Sequence, residues 1–496
     1  MIWSGFALLL TLSAVPVFST VLPPLLDYPN HLARMHLLAE GGDAFYSVQW
    51  AVLPNLAEDL IVPPLARVIP LDLAAKLFLI LIFALIAGGV IWLNRVATAS
   101  WRLWPLLGFL LLYNRILLWG FVNYLFGLGV ALGGIALWLT LERRHWRLRV
   151  FSSLLVALAC FLSHIAAFGV YALAIIGVEL IPAGVELRDR QWPALGRRIA
   201  IGLVQFVVPA ALWLGLRHDA PSSTVSYAGF WRKADLLFSV FDNYNRAFDV
   251  FCFALFLALI GWLVWTRRLG LAPRLAAAAG IVFAAYLVLP SQIHGGSGAD
   301  HRLPTAFFLL LVAASAPNFP SARFGKAVGV ITALVLVVRL GMIERVWRDA
   351  DRMYSADLAA IDALPKGSKI AIAHPDLFHV VPIPEVHLAL LAIPRRAAFV
   401  PTLFAIAGQQ PVALKPAFAA LADAAPPQPL WAILTVAQSA DRAPLPAVLE
   451  QFDFVAVVDK QPIHLPPHRC LAPVSVQPTF QIYSISHSSE CAGPDG

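Results

Sequence analysis

Charge is what this chain has least of. Only 13% of its 496 residues are Asp, Glu, Lys or Arg, against 59% hydrophobic residues, and a soluble surface needs roughly twice that charged share. With a mean hydropathy of +0.75, a soluble enzyme is excluded and a polytopic membrane protein is required. Several chemistries are missing as well. The sequence holds no HExxH and no paired CxxC, which excludes a zinc peptidase and a cysteine-held structural zinc. Its HGGSG run lacks the Gly-Lys-Ser/Thr ending of a phosphate-binding loop. There is no internal repeat, no low-complexity tract and no Asn-x-Ser/Thr acceptor. Of four cysteines, Cys160 and Cys252 lie in apolar runs, while Cys470 and Cys491 lie in the tail. A disulfide between the last two is permitted there, as are two free thiols.

The formal charge of +7 and isoelectric point near 9.4 do not point to nucleic acid. The basic residues fall in short clusters between apolar runs rather than along one solvated face, and topology accounts for that pattern. Runs of bilayer-spanning length occupy residues 3–22, 70–94, 103–119, 121–141, 199–217, 248–266, 274–290, 303–317 and 326–343. The stretch 150–181 is too long for one span. It is flanked by Arg143, Arg144, Arg147 and Arg149 before and by Arg188, Arg190, Arg197 and Arg198 after. By the positive-inside rule both flanks are cytoplasmic, so the chain must enter and return, turning near Ser163 and His164.

Counted so, about eleven transmembrane helices are expected, with the N-terminus cytoplasmic and the C-terminus exterior. Arg95, Arg102, Arg267, Arg268, Arg274, Arg323 and Lys326 all fall on the cytoplasmic side of that map. The start of the chain lacks the basic region of a signal peptide, so 3–22 reads as a retained first span. Such a protein belongs in a bacterial inner or plasma membrane.

Two domains are expected: 1–343, transmembrane, with a first exterior loop at 23–69, and 344–496, a small exterior α/β domain. In the loop, HLARMHLLAE after Pro29 and NLAEDLIVPPLARVIP read as short helices on the membrane surface. The segment YAGFWRKADLLFSVFDNYNRAFD reads as an interfacial helix. In the tail, LPKGSKIAIAH, LWAILTVA, DFVAVVD and FQIYSIS read as strands.

The polar segment LDYPNH, directly after the first apolar run, holds Asp27 and His31, with Arg34 one turn further. Asp27 suits a helix N-cap with Pro29 in the first turn. Capping does not explain His31 and Arg34, which fall at i+4 and i+7 on the same face, and such groups at a membrane boundary point to function. A second candidate is SQIHGGSGADHRLP, where His294, Asp300, His301 and Arg302 crowd a membrane edge. Arg302 has the geometry to bind a lipid phosphate, or to snorkel to the interface. Asn114 and Arg115 interrupt an apolar run, Asn123 and Tyr124 begin the next, and His164 sits at the predicted hairpin turn. Gly127, Gly129 and Gly133 lie inside a span with no preceding strand, so close helix packing is their role rather than dinucleotide binding. Glu58 and Asp59 offer two further carboxylates, though on a surface helix they read as solvated.

A multispan body, an acidic residue opening the first exterior loop in LDYPNH, surface helices in that loop and an exterior C-terminal domain together resemble the GT-C superfamily of integral membrane glycosyltransferases. The resemblance implies transfer of a sugar from a polyprenyl-phosphate donor to a glycan, lipid or protein acceptor on the periplasmic or exterior face, with no nucleic-acid partner. It implies Asp27 as general base or metal ligand, with a divalent ion such as Mg or Mn as the cofactor it allows. His31, Arg34, Arg115, His164, His294, His301 and Arg302 are the candidates for binding donor phosphate or substrate. Asp27 is followed by Tyr28 rather than a second acid, a departure from the two-carboxylate metal pattern. Two other classes stay open: a transporter or flippase of lipid-linked glycans, against which the one-sided placement of charges argues, and a non-catalytic assembly protein.

Overall fold

The computed structural model describes residues 1–142, 146–216, 225–293, 296–376, 384–405, 409–436, 445–488 and 491. The chain forms two compact units. One comprises residues 1–19, 52–58 and 76–346 and is helical; the other comprises 20–51, 59–75 and 347–496 and mixes helices with strands.

Among the described residues, six helices are long and apolar enough to cross a membrane: Leu71–Thr98, Val122–Thr140, Trp146–Ser163, Ile165–Arg188, Arg246–Trp265 and Ala322–Ala363. The pair Trp192–Val204 and Val207–Gly215, bent by 44°, makes a seventh if it is one broken span. The remaining segments expected to span are shorter apolar helices, among them Ile2–Phe18, Trp104–Leu118 and Pro273–Val288. The protein is thus a multi-pass, α-helical membrane protein.

The stretch 150–181 divides at the predicted place. Trp146–Ser163 ends, His164 is extended (φ −169°, ψ 136°), and Ile165–Arg188 begins. The His164 side chain caps the new helix, its Nδ1 accepting the Ala166 N–H at 3.0 Å, so a ring nitrogen does the work usually given to a Ser or Asp oxygen.

Small residues let these helices approach closely. A Cβ on Gly127 would stand 2.6 Å from Ala167 Cβ, and one on Gly129 would stand 2.6 Å from Leu85 Cβ. At Gly177 a Cβ would meet the backbone of the facing helix, Ala278 Cα, at 2.3 Å. These distances leave no room for a side chain at Gly127, Gly129 or Gly177, whereas Gly133 is not crowded, with only Trp92 at 4.0 Å from the position of a Cβ.

At one end of the helical unit, Glu179 gathers cations from three other helices. Arg149 Nη2 donates to it at 2.9 Å and Arg274 Nη2 at 3.1 Å, Arg198 pairs with its other oxygen, and Trp138 Nε1 donates at 2.7 Å. These are residues of the clusters that the charge pattern placed on the cytoplasmic side.

The mixed unit is built on a four-stranded sheet. Ile370–Ala373 runs parallel to Phe454–Val458, which pairs antiparallel with Phe480–Ile485, and that strand pairs antiparallel with Leu471–Val476. Of the two central strands, Phe454–Val458 is apolar on both faces, while Phe480–Ile485 carries Gln481, Tyr483 and Ser484 among its apolar residues. Loop residues Tyr46–Val48 pair with Val412–Leu414, and Phe45, Phe399, Phe418 and Phe452 stack beside them. Cys470 and Cys491 form a disulfide.

One expected strand is a helix. Residues 430–436 of LWAILTVA lie within the helix Pro427–Val436, because Leu430 and Leu434, four residues apart, are the buried pair and that spacing is one face of a helix.

Candidate active site

In the mixed unit, Asp27 stands at the N-cap of helix Tyr28–Glu40, with Pro29 in its first turn. Its backbone there is helical (φ −87°, ψ −2°) and its side chain makes no capping bond. The carboxylate instead faces His387, with Oδ1 3.6 Å from Nε2. His31 and Arg34 follow on the same face, as their spacing predicts, with Arg34 Nη2 3.2 Å from His31 Nδ1.

Arg34 continues to Asp59, with Nε donating to Oδ1 at 2.8 Å and Nη2 to Oδ2 at 3.4 Å. The expectation that Glu58 and Asp59 are solvated on a surface helix is overturned, since they are 2% and 1% exposed. A buried carboxylate needs a cation, and Arg34, 1% exposed, supplies it for Asp59. Arg34 therefore braces this face rather than offering an open cation.

Two histidines unforeseen from sequence complete the setting. His374 follows strand Ile370–Ala373, and His387 lies on the 3-10 turn Pro384–Leu391. Both are buried. Burial holds the His374 imidazole below its ordinary value. Burial, joined by the imidazoles of His374 and His31, lowers His387 to about 3, so its ring is uncharged at neutral pH. Neither ring nitrogen of His387 has a hydrogen-bond partner.

Among the described residues no three His, Cys, Asp or Glu side chains come together as a metal cage. Asp59, the second oxygen ligand that the sequence offered, is committed to Arg34. The donor set at Asp27 thus does not match a divalent-metal site, and no step below runs through one.

The remaining candidates lie in the helical unit. Arg302 lays its guanidinium 4.4 Å from the centre of the Phe121 ring and donates from Nη1 to Gly298 O at 2.6 Å. Tyr124 Oη donates to the Arg302 carbonyl at 2.6 Å, and its ring meets that of His164 edge-on at 5.9 Å. His301 packs on Trp119 at 5.1 Å. Its neighbour Asp300 accepts from Lys233 Nζ at 2.8 Å and Ser291 Oγ at 3.0 Å. Burial, reinforced by Arg232, Arg115 and Arg302 against the opposing Asp300, lowers the His301 pKa. His301 is therefore a neutral imidazole rather than a second cation.

Arg115 is already paired, with Asp242 Oδ2 at 2.7 Å from Nε and Asp235 Oδ2 at 3.0 Å from Nη1. Those acids and Lys233 come from the aromatic and charged segment 225–247, whose pattern signalled an interfacial helix but not these pairings. The structure thus groups Arg302, His164 and Tyr124, and separately Asp27, His31 and Arg34. His294 lies outside the described residues.

No protein family matches the sequence, and no curated protein does. The fold does have a counterpart. The chain is similar to the crystal structure of ArnT from Cupriavidus metallidurans bound to undecaprenyl phosphate, with a TM-score of 0.52 over 99% of both chains at 14% identity. That likeness runs from end to end, through the membrane helices and the mixed unit alike, so this chain shares the overall fold of that structure.

Proposed function

We propose that this protein is a membrane glycosyltransferase that takes a sugar from a polyprenyl-phosphate carrier and passes it to an acceptor hydroxyl on the exterior face. The observation that carries the reading is the full-length likeness to a structure that binds undecaprenyl phosphate. Fold alone does not assign chemistry, so the reading rests equally on Asp27, a carboxylate at a helix start that makes no capping bond.

Asp27 is the general base. As the acceptor oxygen bonds to the anomeric carbon, its proton passes to the carboxylate, the bond from that carbon to phosphate breaks, and the electron pair leaves with the polyprenyl phosphate. Arg302 is assigned to the donor phosphate, whose charge grows as the sugar departs. Its placement on an aromatic ring keeps the guanidinium plane fixed. The C-terminal unit and the LDYPNH segment face the periplasm or exterior in this reading, and the acceptor is a lipid, a glycan or a protein.

The test is transfer of radiolabelled sugar from a panel of polyprenyl-phosphate sugars to membrane extract. Asp27→Asn is expected to lower kcat by at least ~100-fold with folding intact, and Arg302→Ala mainly to raise KM for the donor. Full transfer by Asp27→Asn would remove the base assignment. Absence of transfer by folded wild-type protein across a broad panel would favour a transporter or an assembly protein.

A further inference from the structure

His387 stands far from Asp27 in sequence yet belongs to the same compact unit, where the 3-10 turn Pro384–Leu391 packs against helix Tyr28–Glu40. Its ring is 5% exposed and edge-on to Phe404 at 5.3 Å. Neither nitrogen is hydrogen-bonded. A buried imidazole without partners is costly, and the acceptor facing it is Asp27 Oδ1, 3.6 Å from Nε2. That gap closes to a hydrogen bond with a shift of under about 1 Å, the kind of tightening catalytic contacts undergo when substrate binds.

We propose that His387 is a positioning residue for Asp27: its Nε2–H holds one carboxylate oxygen so that the other faces the acceptor hydroxyl. The inference rests on the assignment of Asp27 as base. Three features of the structure fit it. The titratable groups that face His387 are Asp27 and His31 from one side and His374 from the other. Burial, with those imidazoles second, keeps the ring uncharged, so it donates a hydrogen bond without taking the substrate's proton. And the capping amides at the head of helix Tyr28–Glu40 receive no bond from Asp27, so the cap does not fix its direction. Proton flow stays as written above: the acceptor proton goes to Asp27 and onward to solvent, while His387 keeps its own proton throughout.

The experiment compares His387→Phe with His387→Gln, whose amide nitrogen can stand where Nε2 stands. His387→Phe is expected to lower kcat about 100-fold, the scale of a misaligned reacting group, with donor KM within about twofold. His387→Gln is expected to recover most of the loss, a rescue that a merely space-filling ring would not show. A readout without turnover runs alongside. In 15N-histidine NMR of the whole protein, the signal missing from His387→Gln identifies His387. It is expected as the Nε2–H tautomer in wild type and perturbed in Asp27→Asn. Wild-type kcat in His387→Phe, or a His387 signal indifferent to Asp27→Asn, overturns the proposal. If wild-type protein transfers no sugar but the tautomer responds to Asp27, the contact stands and the glycosyltransferase reading is what fails.

Discussion

At the scale of single residues, burial decides which charges act and which merely hold. Arg34 and Arg115 both looked available in the sequence, yet each sits against carboxylates, Asp59 for one and Asp235 with Asp242 for the other. Asp357 is the converse case. It is 3% exposed, its Oδ1 has no hydrogen-bond partner, and burial together with the nearby Glu385 carboxyl raises its pKa to about 7. In the unfolded chain the same group ionises near 3.9. The folded protein therefore binds the proton more tightly, so this group's contribution to stability is full below about pH 4 and is lost as pH rises through about 7. Thermal unfolding of the protein in detergent is expected to show a melting temperature that falls between about pH 5 and pH 8. Asp357→Asn, neutral throughout, is expected to flatten that fall; an unchanged slope would mean that Asp357 is ionised in the fold.

At the scale of elements, periodicity told helices from strands where one face was buried and failed where a run was short. LWAILTVA carried β-branched and aromatic residues in a window too brief to separate the two periods, and the Leu430 and Leu434 contacts made it helical. Gly127 and Gly129 of Val122–Thr140 were legible as packing contacts because they lie in an apolar helix with no strand before it, whereas Gly133, read the same way, meets only Trp92 at 4.0 Å. The pairing of Glu179 with Arg149, Arg198 and Arg274 was not, since basic residues at span ends look alike whether they face solvent or one shared carboxylate. Removing that shared charge takes from Arg149 its salt-bridge partner and leaves Arg198 to Glu186 and Glu142 and Arg274 to Glu142. Glu179→Gln, which keeps a hydrogen-bonding oxygen for Trp138, is expected to cost about 3–5 kcal/mol, read as early thermal unfolding. A melting temperature equal to wild type would show that Glu142 and Glu186 suffice.

At the scale of the whole molecule, the charge pattern predicts a definite threading. The break at His164 gives two helices of 18 and 24 residues, each long enough to cross, between two basic flanks. Cysteines introduced singly between Gly184 and Arg198 are therefore expected to resist a membrane-impermeant thiol reagent in intact cells and to react after permeabilisation. Labelling in intact cells would reverse the side assigned to every later loop.

Membrane residence, the division at His164 and the resemblance to GT-C enzymes were determined by the sequence itself, because hydropathy, basic flanks and helix breakers are local properties that a bilayer reads without reference to distant residues. The Asp27, His31 and Arg34 face was likewise local, being one turn and two turns of a single helix. What only the tertiary structure decided was which partner each of these groups meets. His387, His374 and Asp59 reach that face from separate parts of the chain. A lone histidine in a Pro-rich tail, or an acid in a short loop helix, carries no local mark of what the folded chain will bury beside it. Long-range packing sets that distance, and with it whether a charge is neutralised, a ring stays uncharged, or a carboxylate is held for chemistry.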